Sequence, residues 1–165
     1  MKGMIKMIKI NEKVLSNVFG TIGARKPEQG GIFGEKNNVI YQFQHDIKGS
    51  VNSGTYTPDT KYLMGIIRDW ETRGVRFCGF IHSHPSTCPM LSSFDKEYAL
   101  RIMTAMPETT KGRLEMPILI FKNGKPVINW YTMYGNGRME VTDYQIFSRY
   151  DNSDSIGHLP PGWFH

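Results

Sequence analysis

One segment constrains the fold more than any other: the mostly apolar run VRFCGFIHSH at residues 75–84. A run without regular alternation of polar and apolar residues is typical of a strand that is buried on both faces. Pro85 ends the run, because proline has no N–H for the ladder of backbone hydrogen bonds. We therefore expect this strand to lie in the middle of a sheet whose two faces are both covered.

The remaining segments supply helices and further strands. Apolar residues at three- and four-residue steps predict helices over residues 11–23, 62–74 and 92–106. Apolar runs bounded by turn residues predict strands over residues 4–10, 30–34, 37–44, 116–134 and 138–147, the fourth being a hairpin around Asn123-Gly124. Residues 48–59 are predicted to be a loop. The expected fold class is α/β (mixed α+β), with a central mixed β-sheet flanked by helices.

The chain is expected to form one domain over residues 1–165. Its length is that of a single domain, no internal repeat or linker interrupts it, and it can bury a core without disulfide or metal staples. The tail, residues 151–165, is rich in proline, glycine and polar residues, and we predict that it is loose. Because the core needs no metal to fold, any bound metal would have a functional role and not a structural one.

Charge and composition exclude several classes of protein. The net charge of +5 comes from scattered basic residues, with Arg25-Lys26 as the only adjacent pair, so nucleic acid is not an expected partner. No run approaches the roughly 18 apolar residues of a membrane span, and the first ten residues do not resemble a signal peptide. Two cysteines without C-x-x-C spacing suit a reducing compartment. We expect a soluble cytoplasmic protein with no membrane partner.

His82 and His84 end the apolar strand at positions that share one face. Side chains two residues apart in a strand point to the same side, about 6.6 Å apart along the chain. Such a pair can converge on one cation just beyond the end of the strand. The alternative interpretation is a pair of partly exposed histidines with no ligand.

Asp95 has two possible roles. Ser92 and Asp95 form a Ser-x-x-Asp pattern, which is a capping box that needs no metal. Asp95 also shares a helix face with Ala99 and Ile102, so its carboxylate should turn toward the sheet, where an unpaired charge would be costly. A cation shared with the two histidines would remove that cost. Two histidines and one aspartate are three ligands, the number typical of a catalytic zinc site.

The segment HSHPSTCPMLSSFD, residues 82–95, resembles the motif of the JAMM (JAB/MPN) metalloprotease family: H-x-H-P, six residues, then S-x-x-D. The upstream segment VLSNVFGTIGARKPEQGGIFG, residues 14–34, also resembles that family. The similarity runs from about residue 12 to residue 102. It implies a JAB/MPN-like (cytidine-deaminase-like) fold of the compact prokaryotic type.

The resemblance also implies roles for individual residues. His82, His84 and Asp95 would bind Zn²⁺, and Ser92 would help to hold the oxyanion of the tetrahedral intermediate. Glu28 would be the catalytic acid and base, accepting a proton from the attacking water and delivering it to the leaving amine. Family members often have one more residue between this glutamate and the glycine that closes the strand. This departure leaves Glu35 as a weaker candidate base.

The resemblance implies a substrate class as well. Family members typically hydrolyse isopeptide or peptide bonds after the C-terminal Gly-Gly of ubiquitin or ubiquitin-like proteins. The expected partners are therefore a ubiquitin-like protein or its conjugates, beside activating- and conjugating-enzyme relatives. A Gly-Gly tail requires a narrow channel, for which Met90, Leu91 and residues 46–58 are the candidate walls. Cys88, inside the motif loop, is predicted to be a small packed residue.

Two other functions stay open on the sequence alone. One is a zinc peptidase that acts on sulfur-carrier adducts or on cell-wall or phage-tail peptides, because the chemistry would be the same and only the groove would differ. The other is a non-catalytic MPN scaffold. Scaffolds usually lack part of the ligand set, whereas this chain has all of it.

Overall fold

The computed structural model describes residues 7–24, 29–52, 55–85 and 87–148. The helices are α1 (Glu12–Gly20), α2 (Thr60–Thr72), α3 (Ser93–Ala105) and the short α4 (Pro107–Thr110), and a 3₁₀ turn spans Ile22–Ala24. The strands are β1 (Ile8–Asn11), β2 (Gly30–Lys36), β3 (Val39–His45), β4 (Ser50–Asn52), β5 (Thr55–Thr57), β6 (Arg76–Ser83), β7 (Arg113–Glu115), β8 (Ile118–Lys122), β9 (Lys125–Asn129), β10 (Tyr131–Tyr134), β11 (Met139–Val141) and β12 (Tyr144–Phe147).

Strand β6 lies in the interior of a ten-stranded mixed sheet, as the sequence predicts. On one side it pairs antiparallel with β2, and the order continues through β3 and β1 to β12. On the other side it pairs in parallel first with β7 and then with β8, which are interrupted at Met116-Pro117. Strands β10 and β11 extend the sheet beyond β7, and β9 extends it beyond β8. The predicted fold class, a mixed sheet flanked by helices, is confirmed.

The two faces of β6 contribute to two different hydrophobic clusters. Phe77 and Phe80 belong to the cluster that includes the buried faces of α2 and α3. Cys78 and Ile81 belong to the cluster that α1 covers. All four residues are at most 6% exposed, so the strand is buried on both faces. This two-sided burial explains why its sequence lacks an alternating pattern.

Local signals fix the ends of α1 and α2. The Asn11 side chain accepts a hydrogen bond from the Lys13 N–H at 2.8 Å, and the Asp59 side chain accepts one from the Tyr62 N–H at 2.9 Å. Both caps satisfy N–H groups that have no partner inside the helix. Helix α1 ends at Gly20, whereas the sequence predicts a helix to residue 23. The 3₁₀ turn at Ile22–Ala24 follows instead.

Two turns have the backbone geometry that tight hairpins require. Asn123 and Gly124 join β8 to β9 with φ values of 52° and 77°. Asn37 and Asn38 join β2 to β3 with φ values of 54° and 65°. Two consecutive residues with positive φ match the twist of the flanking strands, and asparagine and glycine tolerate this conformation best. Strand β2 therefore continues to Lys36, two residues beyond its predicted end.

Several predicted segments need correction. The predicted loop at residues 48–59 contains the hairpin β4–β5, and residues 138–147 form two strands where one was predicted. The run at 116–134 forms the hairpin β8–β9 and a separate strand, β10, which pairs with β7. Strand β7 itself was not predicted. Residues 4–6 and the tail at 151–165 lie outside the described residues.

Among the described residues, no helix is both long enough and apolar enough to cross a membrane.

Gly79 is a position where the sheet tolerates no side chain. It pairs with Glu115 of β7, and a Cβ on it would lie 2.5 Å from the Glu115 carbonyl oxygen. Because that oxygen belongs to the backbone, Gly79→Ala is expected to lower the free energy of unfolding by at least about 2 kcal/mol, as measured by urea titration.

The matched control is Gly65→Ala in α2, where a Cβ meets no atom of the described residues within 4 Å. This change is expected to raise the free energy of unfolding by about 0.5–1 kcal/mol, since alanine is the better helix former. Equal effects of the two substitutions would contradict the close approach of β6 and β7.

Candidate metal centre

The two histidines sit where three strands meet. His82 is in register with Gly30 of β2 on one side and with Ile118 of β8 on the other. The His84 N–H donates to the Leu119 carbonyl oxygen at 2.9 Å. The backbone that carries both imidazoles is therefore held on both edges by the sheet.

Both imidazoles point to the same side of β6, as the strand period predicts. Their ring centroids lie 4.5 Å apart, with an interplanar angle of 76°. His82 is 7% exposed and His84 is 8% exposed. The alternative of partly exposed histidines at a strand end is therefore wrong.

Asp95 caps α3 and also faces both histidines, so its position is compatible with both of the roles that the sequence left open. Its N–H donates to Ser92 Oγ at 3.1 Å, and its Oδ2 accepts from the Ser92 N–H at 2.8 Å, which completes a capping box at the start of α3. The same carboxylate faces the histidines: Oδ1 lies 3.2 Å from His82 Nε2, and Oδ2 lies 3.5 Å from His84 Nε2. The cap thus fixes the carboxylate in front of both rings.

The protonation of the cluster favours a cation between these groups. His84 Nδ1 lies 3.0 Å from the Cys88 carbonyl oxygen, which can only accept, so Nδ1 carries the hydrogen and a neutral ring has a lone pair on Nε2. Burial lowers the pKa of His84, and His82 lowers it further, although the Cys88 carbonyl and Asp95 act in the opposite direction. A lone pair 3.5 Å from a carboxylate oxygen is repulsive unless a cation lies between the two atoms.

His82 supplies a second indication. Its Nε2 is buried and has no hydrogen-bond partner among the residues that the structure describes, although Asp95 Oδ1 is only 3.2 Å away. Burial raises the pKa of Asp95, but the contact with His82 and the hydrogen bonds from Ser92 outweigh that effect and hold the pKa at about 2. The carboxylate is therefore ionised at neutral pH, beside a buried nitrogen that needs a partner.

The distances fit a tetrahedral ion. Ligand atoms about 2.1 Å from zinc at tetrahedral angles are about 3.4 Å from one another. His82 Nε2 lies 3.2 Å from Asp95 Oδ1, and His84 Nε2 lies 3.5 Å from the other carboxylate oxygen, Oδ2. With one ligand atom taken from each residue, the three atoms lie within 4.8 Å of one another. Within the described ranges no further His, Cys, Asp or Glu joins this group. The residues present therefore fit a three-ligand zinc site.

The cluster opens into a cavity of about 930 Å³. Its lining residues include the three ligands and Ser92, and the others are Tyr56, Pro58, Phe80, Pro85, Thr87, Cys88, Pro89, Met90, Phe94, Tyr98 and Met116. Met90 and residues 56 and 58 of the predicted wall segment do line the cavity. Leu91 does not, because it is 7% exposed and packs into the core.

Cys88 is not the packed residue that the sequence predicts. It is exposed and lines the cavity, and its carbonyl oxygen fixes the tautomer of His84. Cys88 lies beyond the end of β6 at Ser83, and its side chain is exposed. A partner of this kind, which orients a ligating histidine from outside the metal shell, is usual in metal sites.

The structure gives different information on the two candidate bases, Glu28 and Glu35. Glu28 lies outside the described residues, but the next residue, Gln29, is described: its N–H donates to Ser83 Oγ at 3.0 Å, and its carbonyl accepts from the Ser83 N–H at 2.8 Å. Ser83 lies between the two histidines. Glu35 is at the other end of β2, where Arg76 Nη2 lies 3.1 Å from its carboxylate. That end is several residues away from His82.

Tyr56 lies in the predicted wall segment, residues 46–58, and lines the cavity, although the sequence did not single it out. Its hydroxyl donates to Asp46 Oδ2 at 2.6 Å, and burial, with help from this bond, raises the pKa of the phenol. A Cβ on Gly30 would lie 2.4 Å from the Tyr56 ring, so the absence of a side chain at Gly30 is what admits the ring. The sequence signal was the Gly-Gly pair at the start of β2.

No family model and no curated protein matches this chain. Among solved structures, it is similar to protein DSY2949 from Desulfitobacterium hafniense, with a TM-score of 0.63 and 16% identity over 86% of this chain and 94% of that one. It is also similar to AF2198, a JAB1/MPN domain protein from Archaeoglobus fulgidus, with a TM-score of 0.46 and 14% identity over 85% of this chain and 99% of that one. At its identity, the match to DSY2949 shows a common fold and nothing further.

Proposed function

We propose that this chain is a JAMM-type zinc metalloprotease of the cytoplasm that hydrolyses the bond after the C-terminal Gly-Gly of a ubiquitin-like modifier. The observation that carries the proposal is the convergence of His82, His84 and Asp95 at the mouth of a cavity. The order of these residues in the sequence, with Ser92 between them, is the order of the motif that the sequence resembles. The substrate class comes from that resemblance.

His82, His84 and Asp95 would hold the zinc ion through two imidazole nitrogens and one carboxylate oxygen. Zinc in a three-ligand site lowers the pKa of a bound water to about 7 and polarises a carbonyl group. The Cys88 carbonyl keeps the His84 tautomer correct for binding through Nε2. The capping box keeps the Asp95 carboxylate in place without a rearrangement when the ion binds.

Glu28 is proposed as the acid and base. Chain connectivity supports this role, because consecutive Cα atoms are about 3.8 Å apart and Gln29 is hydrogen bonded to Ser83, between the two histidines. A glutamate in this neighbourhood could accept a proton from the attacking water and deliver it to the leaving amine. Glu35 is engaged with Arg76 at the far end of β2 and has no comparable support.

Ser92 is proposed to stabilise the oxyanion that develops on the scissile carbonyl. It is exposed and lines the cavity. Its Oγ accepts a hydrogen bond from the Asp95 N–H, which leaves the hydroxyl hydrogen to donate into the cavity. A donor aimed at developing charge typically contributes about 10²- to 10³-fold to kcat.

The second candidate is a zinc peptidase that acts on sulfur-carrier adducts or on cell-wall or phage-tail peptides. The volume of the cavity, about 930 Å³, favours it, because a Gly-Gly tail has no side chains and requires only a narrow channel. A non-catalytic scaffold has less support, since it would have no use for a complete ligand set beside an open cavity.

The test is a fusion of a Gly-Gly-tailed ubiquitin-like modifier to a reporter protein, incubated with the zinc-loaded chain. We expect cleavage directly after the second glycine, loss of cleavage with a chelator, and recovery when zinc is added back. Cleavage that continues under chelation would contradict the mechanism. Cleavage of unrelated peptides, with the modifier fusion left intact, would favour the second candidate.

Ser92→Ala separates the catalytic role of this residue from its structural role. The substitution removes a helix cap, which is expected to lower the free energy of unfolding by about 1 kcal/mol. If Ser92 also holds the oxyanion, kcat falls by about 100-fold or more at a temperature where the variant is fully folded. Ser93→Ala, at the next, exposed position, is the control and should leave kcat unchanged. A Ser92→Ala variant with lower stability and normal kcat would restrict Ser92 to capping.

A further inference from the structure

The cavity beside the candidate zinc site has an apolar side that the proposed chemistry does not use. The buried side chains of Phe80 and Met116 line it, together with the half-buried Tyr98. Tyr98 packs edge-on against Phe80, with ring centroids 5.5 Å apart. These residues come from β6, from the break between β7 and β8, and from α3, so the pocket is part of the fold.

Two exposed apolar residues complete this side. Met90 is 58% exposed and Phe94 is 59% exposed, and both line the cavity. Phe94 immediately precedes Asp95, and Tyr98 follows Phe94 by four residues. The two aromatic side chains therefore lie on neighbouring turns of α3, close to Asp95. Apolar side chains that remain this exposed gain free energy when a ligand covers them, and methionine adapts to the shape of its partner.

A Gly-Gly tail cannot fill such a pocket. The two residues that would precede the scissile bond have no side chains, and the apolar pocket is continuous with the ligand cluster that must contact that bond. The nearest substrate side chain is therefore on the leaving-group side. Resting on the proposed function, we propose that the residue directly after the scissile bond is bulky and apolar, such as phenylalanine or leucine, and that its side chain binds between Phe94, Tyr98 and Met90.

An apolar pocket on the leaving-group side would select one kind of substrate for the proposed reaction. Hydrolysis breaks the C–N bond after the second glycine, consumes one water, and releases a glycine carboxylate and the amine of the apolar residue. The substrate would thus be a modifier precursor or linear fusion whose next residue is apolar. A conjugate on a lysine side chain would place only a methylene chain near the pocket.

The first test varies the residue after Gly-Gly in the reporter fusion. We expect kcat/KM for phenylalanine or leucine to exceed that for glycine or aspartate by about tenfold or more, since even one methylene in an apolar pocket changes specificity by about 10- to 200-fold. Phe94→Ala and Met90→Ala should each reduce this ratio. Val141→Ala, at a 78% exposed apolar position in β11, is the matched control and should leave it unchanged. Equal cleavage of all fusions would overturn the inference and leave the proposed function in place.

The second test does not depend on activity. Phenylalaninamide represents the released amine, and calorimetry should show that the chain binds it at least about tenfold more tightly than glycinamide, with or without zinc. Phe94→Ala should remove the difference. If no fusion is cleaved but this binding preference is present, the proposed function fails and the apolar pocket stands. If neither amide binds preferentially, the pocket assignment is wrong.

Discussion

Asp95→Asn is expected to abolish stoichiometric zinc binding and, with it, all measurable hydrolysis. Loss of an outer-shell partner alone typically costs about 10- to 100-fold in metal affinity, so loss of a direct ligand should cost at least about 100-fold. In the wild-type chain, zinc at 100 times its Kd should add about 2.7 kcal/mol to the free energy of unfolding. For a chain of this size, that corresponds to a rise in Tm of roughly 5–10 °C. The variant should show no such rise.

The zinc-free variant distinguishes this effect from loss of the helix cap. An asparagine side chain can still accept from the Ser92 N–H, and its amide can donate to His82 Nε2, for which the described part of the chain offers no other hydrogen-bond partner. The zinc-free form should therefore unfold within about 1 kcal/mol of the zinc-free wild type. Glu97→Gln, at an exposed ion pair on the same helix, is the control and should bind zinc normally. A zinc-dependent rise in Tm that survives Asp95→Asn would overturn the metal assignment.

The parts of the fold that could be predicted depend on local signals. The interior strand β6 follows from its unbroken apolar run, and the β8–β9 turn follows from Asn123-Gly124. Strand β7 has only one apolar residue, Leu114, between two charged ones, and it exists because it pairs with β6 and β10. That pairing joins distant segments, and no periodicity within three residues can encode it.

The candidate site also has one part that local signals predict and another part that depends on distant segments. His82 and His84 share a face because strands have a period of two, and Asp95 meets them because a capping box fixes its carboxylate. Both signals are local, and the sequence was sufficient to predict that these three residues come together. Met90 and residues 56 and 58 were among the predicted walls of the cavity, but Phe80 and Met116 were not predictable, because they become neighbours only when β6, β7 and β8 assemble. Cys88 was assigned wrongly because the direction of a loop cannot be read from its composition.

Glu28→Gln is expected to have the largest effect on the reaction that leaves the metal in place. A positioned acid–base group typically contributes about 10²- to 10⁴-fold, so kcat/KM should fall by that factor. Because the proposed role of Glu28 lies outside the ligand set, the zinc content and the zinc-dependent rise in Tm should match the wild type. The glutamine keeps the size of the side chain and its hydrogen-bonding capacity, which limits any structural effect.

The control for this prediction uses the second glutamate of the same region. Glu35→Gln removes one partner of a half-buried ion pair with Arg76 at the far end of β2, and it should leave kcat/KM within about twofold of the wild type while lowering stability by less than about 1 kcal/mol. Arg76 also donates to the Thr109 carbonyl, so its guanidinium keeps a partner. The decisive comparison is which of the two variants loses the rise of kcat/KM with pH that a titrating base produces. If Glu35→Gln loses it and Glu28→Gln retains it, the base has been assigned to the wrong end of β2, and the link from Gln29 to Ser83 has no catalytic meaning.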